Sequence, residues 1–177
     1  MRIAKASLNR RWFWSVGLGF LVFAFLFFLD RMLQSLTGVG TWDLAPLTDA
    51  AEIRTAIHAW APQPYATLAG FNLGLGFLLM PLYAAAFFYS GIIAAERFAP
   101  SPGRRRGFII MASLAPLAGA LCNAVQNALY LMMMLGGDTM AYTGPAHMFG
   151  NISNATILVG LLLLAAAIVA RLLPAKK

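Results

Sequence analysis

Four apolar runs, 12–36, 65–98, 108–135 and 146–173, each reach the length at which a helix crosses a hydrocarbon core, about 20 residues, and together they take up nearly the whole chain. Backbone amides and carbonyls find no partner in lipid, so runs of this kind read as helices that satisfy their own hydrogen bonds. The pattern predicts an all-α integral membrane protein: one four-helix bundle domain over 1–177, with four transmembrane (TM) spans. Only the 37–64 connection has room for further structure. Composition agrees, since 60% of the 177 residues are hydrophobic and 11% charged, against roughly 25% charged in a soluble domain.

A net charge of +7 suggests nucleic acid in a soluble chain, but here the basic residues form short clusters between apolar runs, and a nucleic-acid partner is not expected. Arg2, Lys5, Arg10 and Arg11 precede the first run. Arg97, Arg104, Arg105 and Arg106 separate the second from the third, and Arg171, Lys176 and Lys177 lie at the end of the fourth and beyond it. The two remaining connections and their flanks hold only Arg31 and Arg54. By the positive-inside rule both termini are expected in the cytoplasm (N-in/C-in), with 37–64 and 136–145 facing outward, in a bacterial inner (plasma) membrane. The first run exceeds the length of a secretory h-region and no small-x-small site follows it, so it is expected to remain as a span. The "RRR" at 104–106 reads as a topology anchor. "GLGFL" occurs at Gly17 and again at Gly74, in runs that cross in opposite directions, and reads as coincidence.

Within 37–64, "DAAEIRTAIHAW" sets Asp49 to cap a helix, with Glu52 three residues on to complete a capping box. Ile53, Ile57 and Trp60 then form one apolar stripe, with Arg54 and His58 beside it. This predicts a short amphipathic helix on the bilayer surface or over the bundle mouth.

The third run contains "LCNAVQNALY", which puts three carboxamides within five positions of strongly apolar sequence. On a helical wheel Asn123, Gln126, Asn127 and Tyr130 fall within about 100° of arc, so they share a face. Pro116 and Gly119 lie on the same face. An unpaired amide in hydrocarbon costs several kcal/mol, so this face is expected to meet the bundle interior or water. The other runs carry polar residues at matching depth: Asp30 and Gln34 on the first, Asn72 and Tyr83 on one face of the second, and His147, Asn151 and Asn154 on one face of the fourth. Polar residues from all four runs thus fall in the outward half, whereas the inward part of the fourth run, "LLLLAAAIVA", has none. Gly70 and Gly74 have the spacing of a close helix approach.

Two accounts fit such a layer. Asn and Gln can hold membrane helices together, at about 0.6–2 kcal/mol per contact. Alternatively, the residues line a pocket for a membrane lipid or other amphiphile, with Gln34, Asn72, Tyr83, Asn123, Gln126, Asn127, Tyr130, Asn151 and Asn154 binding its head. Its tail would lie among Phe23, Phe27, Leu79 and Met134. An accessory subunit docking on a membrane-protein partner, or a homo-oligomer, is the rival from another class. A third reading is a membrane enzyme with Asp30 and His147 as acid and base.

Other chemistry has weaker footing. A single cysteine, Cys122, excludes an intramolecular disulfide and a thiolate-built metal site. His58 and His147 are the only histidines, and the methionines at 132–134 point in three directions on a helix. Neither metal nor cofactor is expected. The sequons at Asn151 and Asn154 lie inside a span and read as accidental. No phosphate loop, nucleophile elbow or HExxH is present.

Overall fold

The computed structural model describes residues 5–99 and 101–173. Arg2, Lys176 and Lys177 lie outside them. Among the described residues there are five α-helices and no strand: α1 (Lys5–Thr37), α2 (Ala50–Ala59), α3 (Tyr65–Phe98), α4 (Pro102–Met134) and α5 (Thr139–Leu172). A single 3₁₀ turn, Trp42–Leu44, sits between α1 and α2. α1, α3, α4 and α5 are long and apolar enough to cross a membrane.

Each long helix has 33 or 34 residues, or about 50 Å of rise, and so outruns its apolar core at the ends. Local capping explains where they begin. Ser101 Oγ accepts from Arg104 N at 3.4 Å and Pro102 opens α4 with its fixed φ, which draws the arginines at 104–106 into the first turns of the helix. Asp138 accepts from Met140 N and Ala141 N at 2.9 and 3.4 Å, so α5 starts at Thr139, well ahead of its apolar run. Pro81, Pro116 and Pro145 are all tolerated inside helices.

α3, α4 and α5 pack on one another, whereas the extensive helix contact of α1 is with α3 alone. Small residues set the closest approaches: a Cβ on Gly91 would collide with Ala112, and one on Gly160 with the Phe87 ring. A Cβ on Gly70 or Gly74 would meet nothing within 4 Å among the described residues, so their spacing marks no close helix approach there. The end carrying α2 is here termed the loop end, and the opposite end, with the arginines of α4, the basic end.

α2 is capped by Asp49, whose carboxylate accepts from Ala51 N at 3.0 Å. It lies across the loop end of the bundle, with Ile53, Ala56 and Trp60 buried against Leu33, Leu44, Ala69, Tyr130 and Ala146. Trp60 is fully buried and its indole N–H donates to Val39 O at 2.8 Å, the polar contact such a ring needs when buried. At the basic end Trp12 donates to Ser90 Oγ at 2.9 Å, and the Arg171 guanidinium lies 3.7 Å over the Trp12 ring while donating to Asn9 Oδ1. These contacts tie α1 to both α3 and α5. α1 is thus held at its two ends and stands clear of α5 between them.

Candidate functional site

The loop after α1 is organised by one acid. Asp30 is fully buried, and its carboxylate accepts from Thr41 Oγ1 at 2.9 Å, Trp42 N at 3.1 Å and Arg31 Nη2 at 2.7 Å. Gly40 passes so close that a Cβ there would lie 2.7 Å from the carboxylate. Thr41 in turn accepts from Asn72 Nδ2 at 2.9 Å, which links α1, the loop and α3 through buried side chains. The oxygen of the Asn72 amide, Oδ1, has no partner although the residue is 2% exposed.

α4 supplies the opposite wall. Gln126 donates to Tyr130 Oη at 3.2 Å, and Tyr130 donates to Leu44 O at 3.2 Å. Asn127 donates to the Leu73 carbonyl of α3 at 3.1 Å. Glycine makes room for both amides, since a Cβ on Gly150 would strike Gln126 and one on Gly76 would strike Asn127. Between these walls lies a cavity of about 340 Å³, roofed by Thr41 and Trp42 and lined by Asn72, Asn123, Gln126, Asn127, Tyr130 and Asn154. Its volume is within the range of small-molecule sites, roughly 300–1,000 Å³.

A second hollow of about 360 Å³ continues toward the basic end, in the gap between α1 and α5 with α3 as its floor. Phe23, Leu79 and Ile157 belong to both hollows, so they are contiguous. The second is apolar, lined by Val16, Phe20, Ala86, Phe87, Leu161 and Leu164. Tyr83 lines it too, and its hydroxyl is buried beside the side chains of Asn123 and Ser153. Among the described residues no Asp, Glu, Lys, Arg or His lines either hollow.

Of the residues singled out in the sequence, Asn72, Asn123, Gln126, Asn127, Tyr130 and Asn154 come together around the polar cavity, and Tyr83 lies beyond it in the apolar one. Gln34 is elsewhere: it donates to Asp43 Oδ2 at 3.0 Å and borders a broad concavity between the loop and α2. Asn151 is exposed and pairs with His147 Nδ1 at 3.3 Å one turn away on α5. Asp30 and His147 therefore have separate partners. Among the residues assigned to a tail, Phe23 and Leu79 line the groove. Phe27 instead lies against Trp42, with ring centroids 5.7 Å apart, and Met134 borders a hollow with Arg54 and His58. Thr41, Trp42 and Ser153 escaped sequence reasoning. Nothing in a 3.6-residue period marks the two loop residues, and Ser153 is a weakly polar residue beside the more conspicuous Asn154. Among the described residues no group of three or more His, Cys, Asp or Glu side chains is gathered as a metal site would require.

Comparison with protein-family models, curated proteins and solved structures finds no match.

Proposed function

We propose that this is an integral protein of a bacterial inner membrane, with both termini cytoplasmic and the loop end facing outward, that binds a membrane lipid or another amphiphile. The observation that carries the reading is the continuity of a polar and an apolar hollow, with the buried oxygen of Asn72 left unpartnered in the wall of the first. Amides that serve only to join helices are expected to be satisfied by protein partners, because an unpaired buried polar atom costs about 1–3 kcal/mol. A hollow polar at one end and apolar at the other has the form of a head-and-tail ligand. The orientation rests on the distribution of Lys and Arg.

Native mass spectrometry of the gently solubilised protein beside Asn123→Leu/Asn127→Leu tests this. The expected result is a bound species on the wild type that is absent from the double variant. A monodisperse wild type with nothing bound, together with a folded but less stable variant, would identify the amides as helix-joining groups. The search would then turn to a partner protein, for which α3 offers an open face at Gly70 and Gly74. An acid–base enzyme acting through Asp30 and His147 draws no support from the geometry, because Asp30 is engaged by Thr41, Trp42 and Arg31.

A further inference from the structure

We infer that the occupant is an uncharged lipid whose head donates hydrogen bonds through hydroxyl groups, with one hydrocarbon chain lying in the slot between α1 and α5; this rests on the amphiphile reading above. The first argument is charge. Neither hollow has a charged side chain in its wall, and the nearby carboxylate of Asp30 is already held by Thr41, Trp42 and Arg31. An anionic or zwitterionic headgroup placed there would lose its hydration with no opposite charge in exchange, which low-dielectric surroundings penalise heavily. Phosphate recognition calls for Arg, Lys or exposed backbone amides, and no Arg or Lys lines this cavity.

The second argument is hydrogen-bond polarity. The amide nitrogens of Asn72, Gln126 and Asn127 are directed at Thr41 Oγ1, Tyr130 Oη and Leu73 O. Of their carbonyl oxygens, that of Asn72 is buried without a partner. The amides of Asn123 and Asn154 line the same cavity, so its walls offer N–H donors as well as acceptors, and the buried Asn72 oxygen calls for a ligand that can also donate. A hydroxyl does so without charge; an ester or ether head does not.

The third argument is the shape of the slot. Trp42 and Thr41 close it at the loop end, and the Trp12, Ser90 and Arg171 contacts draw α1 against its neighbours at the basic end. From Ile157 to Leu164 the groove runs about 10 Å along α5, and only two helices flank its opening. The gap accepts one chain from the side, from the lipid phase.

A matched series tests the inference. 1-Monooleoylglycerol, methyl oleate and oleoyl-lysophosphatidylglycerol share one tail and differ in head, and each is titrated onto the delipidated full chain and followed by native mass spectrometry. Monooleoylglycerol is expected to bind saturably and at least about tenfold more tightly than the other two. Asn72→Leu should weaken it about tenfold while leaving methyl oleate unchanged. Leu161→Trp, which fills the slot without touching an amide, should weaken all three. Should Asn72→Leu not fold, the wild-type series and Leu161→Trp decide. Equal binding of methyl oleate or of the lysophospholipid would overturn the hydroxyl-donor inference and leave amphiphile binding standing. Absence of saturable binding by every probe, or binding indifferent to Leu161→Trp, would overturn both.

Discussion

At the residue scale, the hydroxyl of Thr41 has two jobs in one buried network: it donates to Asp30 and accepts from Asn72. Thr41→Val keeps the shape and removes both bonds, leaving a buried carboxylate short of one donor and an amide short of its acceptor. The expected loss is about 1–3 kcal/mol, read as lower stability in denaturant or thermal unfolding in detergent. Thr41→Ser keeps the hydroxyl and is expected to recover most of it. If Thr41→Val is as stable as the wild type, the network does not hold the loop. Asp30 reads in the sequence as a candidate for proton transfer, and in the fold its three partners make it the centre about which the loop is arranged. Nothing local announces this, because two of those partners lie eleven and twelve residues away.

At the scale of elements, the helices approach one another where a side chain is missing. Gly160 on α5 faces the ring of Phe87 on α3, so Gly160→Val must displace an aromatic side chain in a packed interface. Overpacking of this kind costs about 1–3 kcal/mol, and the melting temperature is expected to fall accordingly. Gly74→Val, on the same kind of helix but with open space where the Cβ would go, is expected to change stability by no more than about 0.5 kcal/mol. Similar losses at both sites would show that the Phe87 contact is not what distinguishes Gly160 from Gly74. Helical periodicity cannot separate the two glycines. It reports which residues share a face and is silent on which neighbour that face meets.

At the scale of the whole molecule, orientation is the open quantity that a simple experiment reads. In a Cys122→Ser background, Thr48→Cys should react with a membrane-impermeant maleimide added to intact cells, and Gly103→Cys only after the membrane is broken. The reverse pattern would invert the topology, and equal labelling of both would break the assignment. The four long apolar helices were legible in the chain because hydropathy is summed over a local window and lipid leaves a backbone few ways to satisfy itself. The α2 stripe was legible for the same local reason, as was the common face of Asn123, Gln126, Asn127 and Tyr130. Tertiary structure alone decided that α1 leans on α3 and stands off α5 between its two ends, and that Asp30 gathers the loop into a roof. It also decided that an amide cavity opens into an apolar slot. Those outcomes depend on contacts between residues far apart in sequence and on how well side chains fill the space between helices, neither of which a local period encodes.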